Sequence, residues 1–109
     1  NAFTMDGQLV NIDGNGNRVS ALCYGPKHVV IITGMNKLTP SVEDAYKRIR
    51  QDACPPNCVR LGLPTPCSKT GVCGDCMSAS SICDLFVTTR MSRYPDRIHI
   101  IMVGEELGY

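Results

Sequence analysis

Cys67, Cys73, Cys76 and Cys83 follow one another in a C-x5-C-x2-C-x6-C pattern, and they are the residues whose type and spacing best suit chemistry. The Cys73-Gly74-Asp75-Cys76 turn sets two sulfurs on one side of a tight loop, with Gly74 easing the backbone. A tetrahedral metal needs two more sulfurs nearby, which Cys67 and Cys83 can supply. The spacing matches neither the C-x2-C-x2-C run of bacterial ferredoxins nor the paired C-x2-C knuckles of a zinc ribbon. Zinc, an iron-sulfur cluster and four reduced thiols packed as small hydrophobes therefore all stay open.

Other candidates are weaker. Cys54 and Cys58 flank Pro55-Pro56-Asn57, a spacing open to metal ligation or a redox pair but more often incidental. Cys23, alternating with Val19 and Ala21, reads as core. Ser68, Lys69 and Thr70, set between the metal candidates, form the better guess for a loop that contacts an anion. Gly14-Asn15-Gly16-Asn17-Arg18 offers backbone amides and a guanidinium to a phosphate or carboxylate, yet the same residues make an ordinary turn. His28 and His99 have no nucleophile motif beside them and read as structural. Adjacent Glu105 and Glu106 would point apart on a strand, which excludes a paired acid and base. No residue is assigned as catalytic, and whether the chain is an enzyme is left open.

The 109 residues, 43% of them hydrophobic, suit one compact domain. Eleven basic and ten acidic residues give a net charge of +1, too little to hold a nucleic acid backbone. No apolar run approaches the roughly 20 residues that cross a bilayer, and no signal-peptide pattern opens the chain, so the expectation is a cytoplasmic protein without membrane insertion. Seven cysteines, an odd number without a secretion signal, argue against a disulfide scaffold. The start at Asn1, directly before strand-like sequence, suggests a fragment lacking its upstream part.

The elements that must position these residues follow from pattern. Ala2 to Met5 and Gln8 to Ile12 read as strands joined by Asp6-Gly7, a hairpin turn sequence. After the Asp13 to Asn17 turn, Arg18 to Tyr24 alternates as a half-buried strand, which makes an antiparallel N-terminal meander. His28 to Thr33 is an apolar β-branched run expected of a central strand covered on both faces. Thr39-Pro40 reads as a helix cap and first position; Val42, Ala45, Tyr46, Ile49 and Ala53 form its buried stripe, and Pro55-Pro56 should stop it. Val59 to Leu63 reads as a short strand and Pro64 to Ser81 as a cysteine-bearing loop, long enough to need a staple. Leu85 to Thr89 and Ile98 to Val103 read as strands, related antiparallel because Arg90 to Arg97 is too short for a parallel crossover.

With these elements placed, the whole chain resembles the later half of a LUD domain, the lactate-utilisation family that includes the LutC and YkgG type proteins. The resemblance rests on Ala2 to Val10 with Asn11 to Val19, on Gly25 to Ile32 followed by Asn36 and Thr39 to Ile49, and on Pro66-Cys67-Ser68-Lys69-Thr70. The ending Met102 to Tyr109 is similar to the cysteine-bearing branch. The resemblance implies an α/β fold, a partial NagB/RpiA/CoA-transferase-like three-layer sandwich with a mixed sheet; residues 1–109 would be a single domain fragment whose upstream half is missing. It also implies a redox accessory or electron-transfer component of L-lactate or hydroxy-acid oxidation, beside iron-sulfur or flavin subunits, with the four cysteines holding an iron-sulfur cluster or zinc. The alternative is a noncatalytic ligand-binding or regulatory domain with structural zinc or free thiols.

Overall fold

The computed structural model describes residues 1–109. Strands β1 (Ala2–Thr4) and β2 (Leu9–Asp13) pair antiparallel with Ala2 opposite Val10 and Phe3 opposite Leu9. The hairpin expected from Asp6-Gly7 forms. Gly7 takes φ 87°, and the Asp6 carboxylate accepts from the Thr4 hydroxyl and from Gln8 Nε2, so the turn satisfies its own polar groups.

The expected third strand of the meander is instead helix α1 (Asn17–Cys23). Seven residues are too few for alternation to be decisive: Val19 and Leu22, three apart, are the pair that is buried. Arg18 fixes the helix to β2 by donating to Asn11 Oδ1 and the Ile12 carbonyl, both at 2.8 Å. Cys23 consequently faces solvent rather than the core.

Strand β3 (Val29–Gly34) leads through a single 3-10 turn (Met35–Lys37) to β4 (Leu38–Thr39), which runs parallel to β1. Gly34 is obligatory, because a Cβ there would sit 2.4 Å from the Leu107 nitrogen of the C-terminal tail. Asn36 ties that tail down, accepting from Leu107 N at 3.2 Å and donating to the Gly108 carbonyl at 3.0 Å.

Helix α2 (Val42–Arg48) is capped by Ser41, whose hydroxyl accepts from Asp44 N at 3.1 Å, so the cap falls two residues beyond Thr39. Glu43 and Asp44 in its first turn and Lys47 and Arg48 in its last complement the helix dipole. Pro55 and Pro56 do not end the helical path. A π turn (Ile49–Ala53) follows α2, and helix α3 (Cys54–Arg60) then starts afresh with the prolines in its first turn, where no N–H is required. The expected strand from Val59 to Leu63 is thus the end of α3 and the turn after it. Within the expected loop lies helix α4 (Pro66–Thr70), its Thr65 cap accepting from Ser68 N.

Strands β5 (Leu85–Thr89) and β6 (Ile98–Val103) do not pair with each other. The first joins β2 antiparallel, giving the mixed sheet β4-β1-β2-β5; the second runs parallel to β3 in a separate two-stranded sheet. A parallel partner was reachable because the chain between β3 and β6 is long, whatever the length of the β5–β6 connection.

Alternation in β1 and β2 distributes the core. Ala2, Val10 and Ile12 pack against Ala45, Ile49 and Ala53 of the α2 stripe, while Phe3, Leu9 and Leu22 pack against Val29, Ile31, Ile98 and Ile100. The molecule is therefore a mixed α/β sandwich, with α2 and the helical turns after it over one face of the larger sheet, and α1 with the parallel strand pair over the other. Burial of Val10 and Ile49, 0% and 2% exposed, contributes about 1.5–3 kcal/mol for each side chain. The β3 strand is not covered on both sides: Val30 and Ile32 are 59% and 66% exposed. No helix is long and apolar enough to cross a membrane.

Candidate functional site

Cys67, Cys73, Cys76 and Cys83 do not converge as a set, and no three Cys, His, Asp or Glu side chains form a group able to hold a metal ion. Cys67 is buried because α4 turns it inward, beside the Thr65 hydroxyl at 3.3 Å and the Cys58 thiol. Cys73 lies near the Arg50 guanidinium, which forms a 2.7 Å ion pair with Asp75. Cys76 is half-buried and makes no side-chain hydrogen bond. Cys83 is drawn to the core by the β2–β5 pairing that begins just after it, with the Asp84 nitrogen donating to the Asp13 carbonyl at 3.1 Å. The expected four-sulfur set for an iron-sulfur cluster or zinc is therefore not assembled in this arrangement.

What the fold does assemble is a different set of thiols. Cys54 and Cys58 lie four apart on α3, hence on one helical face, and both are buried. Cys83 donates to Cys54 across 3.4 Å between sulfurs, and the Cys58 and Cys67 thiols are near enough to influence each other electrostatically. The bond donated by Cys83 pushes the Cys54 pKa below the ordinary thiol value, against the opposing effect of burial. Cys83, holding the proton of that bond and itself partly buried, is pushed far up. Burial raises Cys58 as well. The pair thus consists of one sulfur favoured as thiolate and one favoured as thiol, the division of labour that thiol–disulfide exchange requires.

Ser68 and Thr70 are committed elsewhere. The Ser68 hydroxyl lies 2.7 Å from the Leu63 carbonyl and 2.8 Å from that of Thr65, while the Thr70 hydroxyl lies 3.1 Å from the Pro66 carbonyl. Lys69, in the last turn of α4, has no ion pair. These three side chains do not converge on a common point of contact with an anion, because α4 uses its hydroxyls to close itself. His28 and His99 sit with ring centres 6.1 Å apart, each contacting the Asp96 carbonyl, in keeping with a structural part.

A cavity of about 300 Å³ opens at the carboxyl end of β2, between that strand and α3, with Asp13, Arg18, Lys37 and Cys54 among its walls. Asp13 Oδ1 accepts from the Asn15 and Gly16 amides, so the amides of the Gly14 to Arg18 turn are consumed internally, as an ordinary turn demands. Arg18 Nη2 lies 3.4 Å from Asp13 Oδ2, which is buried and has no hydrogen-bonding partner. Gly14 shapes the wall: an added Cβ would lie 3.1 Å from Ile82 Cα. The sequence offered one signal for the buried thiols of α3, the four-residue spacing of Cys54 and Cys58, hidden because the two prolines read as a stop, and none for the approach of Cys83. For Lys37 it offered only position, in the segment after Thr33 where an α/β sheet presents its ligand loops.

No curated protein and no solved structure matches this chain. The family model of the LUD domain, however, matches residues 1–103, so the chain belongs to the LUD domain family by nearly its whole length.

Proposed function

We propose that this LUD domain is a redox accessory of lactate or related hydroxy-acid oxidation, working beside iron-sulfur or flavin subunits through a dithiol made by Cys54 and Cys83. The observation that carries this reading is the 3.4 Å approach of the two sulfurs, with Cys83 as donor. A dithiol is a two-electron couple, matching the two electrons released when a hydroxy acid becomes an oxo acid. Cys54, the sulfur favoured as thiolate, attacks one sulfur of an oxidising disulfide and expels the other as a thiolate. Cys83 then gives up its proton and attacks Cys54, forming the internal S–S bond and releasing the second thiolate. One proton, from Cys83, and two electrons leave the thiolate–thiol pair, and the oxidising disulfide is released as one thiol and one thiolate, the latter taking its proton from solvent.

Equilibration in glutathione buffers of stepped ratio, followed by alkylation and peptide mass spectrometry, tests the proposal. The expected result is a Cys54–Cys83 crosslink that appears before any other and reverses on reduction. Failure of that crosslink under glutathione disulfide excess, or a first crosslink between Cys73 and Cys76, would remove the basis for the reading. Anaerobic preparation with iron and zinc analysis belongs to the same experiment, because stoichiometric metal on Cys67, Cys73, Cys76 and Cys83 would favour a cluster over a dithiol.

A further inference from the structure

The cavity at the carboxyl end of β2 gathers more positive charge than it neutralises. Lys37 and Arg18 line it, Arg48 stands close enough to act on Lys37 electrostatically, and Asp13 is the one acidic side chain in its wall. The molecule's two ion pairs are Arg18 with Asp13 and Arg50 with Asp75, so Lys37 has no anionic partner, although it is only partly exposed. Burial, and then repulsion from Arg48 and Arg18, lower its pKa. Arg48 cannot turn away to relieve this repulsion, since its Nε donates to the Asn36 carbonyl at 2.7 Å. Arg18 is likewise held by Asn11 and Ile12. Fixed cations around a hollow cost free energy in the empty state and recover it when an anion enters.

We propose that this cavity is a binding site for a small carboxylate or phosphate anion, with Lys37 and Arg18 as its charged contacts and Asn57 as a neutral one. Asn57 lines the cavity, and its Oδ1 accepts from Arg60 Nε and Nη2, which leaves its NH2 as the group it can offer. The volume of about 300 Å³ suits an anion of a few heavy atoms and lies at the lower end for small-molecule sites. It lies beside the segment that follows β3, at the carboxyl end of the parallel β3–β6 pair, where α/β sheets bind ligands. The site is separate from the thiol exchange proposed above, although Cys54 contributes to the cavity wall.

Calorimetric titration of the 109-residue chain with inorganic phosphate and, separately, L-lactate tests the assignment, with amide chemical shifts of Gly14, Lys37 and Ile82 as the site readout. One-to-one binding of either probe that moves these amides supports it, and the probe that binds tells phosphate from carboxylate. Lys37→Met, which keeps the aliphatic stem, should weaken binding by about tenfold or more, the worth of one charge-assisted contact, whereas Lys37→Arg should retain most of it. Lys69→Ala should leave binding unchanged. Titration of Cys83→Ser separates this site from the dithiol: binding that persists supports an independent anion site, and binding lost there but kept in Lys37→Met overturns it. Absence of binding by both probes, or equal binding by Lys37→Met, also overturns it.

Discussion

The two cysteine neighbourhoods of this molecule, one on helix α3 and one in the loop that follows α4, contain similar chemistry under opposite constraint. Cys54 and Cys58 are buried on a helical face that continues the packed stripe of Ala45, Ile49 and Ala53, and Cys83 is brought to them by a strand pair. Cys73 and Cys76 lie in a stretch without regular structure, attached to the body through the exposed Arg50–Asp75 ion pair. The helical thiols meet because side chains four apart share a face and because the sheet fixes the approaching strand. The loop thiols, three apart in a motif that looks made for metal, receive no such positioning. Spacing creates a site only where packing holds the backbone that bears it.

The sharpest way to break the comparison is through the core itself. Ile49, 2% exposed between α2 and the sheet, should cost about 2–5 kcal/mol as Ile49→Ala, through lost transfer energy and the cavity left behind. Met77, 99% exposed in the loop, should change stability by no more than about 0.5 kcal/mol as Met77→Ala. Urea unfolding under reducing conditions measures both. Comparable losses would mean that the loop is packed as tightly as the helical region, and the contrast would fall.

A second test uses protons. The Cys54 pKa is lowered in the folded state, so its contribution is present at and above the ordinary thiol value of 9.0 and is lost as pH falls through the folded value. The Cys83 pKa is raised, so the folded state keeps a proton that the unfolded chain gives up, and stability declines as pH climbs beyond 9.0. The contribution of the pair therefore peaks near pH 9, rising from the acidic side and falling on the alkaline side. Subtracting the unfolding free energy of the Cys54→Ser/Cys83→Ser protein from that of the native protein across pH isolates this term. A flat difference would show that the sulfurs do not share a proton.

How much of this was legible in the sequence varies with the kind of signal. The β1–β2 hairpin came from Asp6-Gly7, and the buried stripe of α2 from its period, because both are encoded within a few residues and stay true in any tertiary setting. The α1 helix was missed because Val19, Ala21 and Cys23 alternate, while the deciding contact, Val19 with Leu22 against the sheet, is tertiary. Continuation past Pro55-Pro56 depended on a π turn, a register change that composition does not announce. The partners of β5 and β6 are long-range pairings, which local pattern cannot supply. At the candidate sites, the residue types were visible and their convergence was not: Cys54 with Cys83, and Lys37 with Arg18, are brought together by elements far apart in the chain.

A smaller effect is expected at the seam between helix and sheet. The Tyr46 hydroxyl lies 2.8 Å from the Thr88 hydroxyl, and its ring packs on Phe86 with centres 5.4 Å apart. Tyr46→Phe keeps the ring contact and removes only an exposed hydrogen bond, so the loss should lie near the low end of the range, about 0.5 kcal/mol. A thermal melt resolves it, and a loss several times larger would mean that β5 depends on this bond for its place beside Cys83.

The smallest effect should come from Cys76→Ser, and it bears most directly on what the two neighbourhoods teach. Cys76 makes no side-chain hydrogen bond, and its exchange of sulfur for oxygen leaves the Arg50–Asp75 attachment untouched. If the loop is held only by that pair, worth about 0.2–1 kcal/mol at an exposed position, hydrogen exchange between Cys73 and Ala79 should be fast in the native chain and equally fast in the variant. If a metal on the loop sulfurs holds it, the native loop should be protected and Cys76→Ser should release it, since removing one ligand loosens the segment that the metal organises. Protection of the loop amides in the native chain that disappears in the variant would overturn the contrast between the neighbourhoods and return the chemistry to the loop.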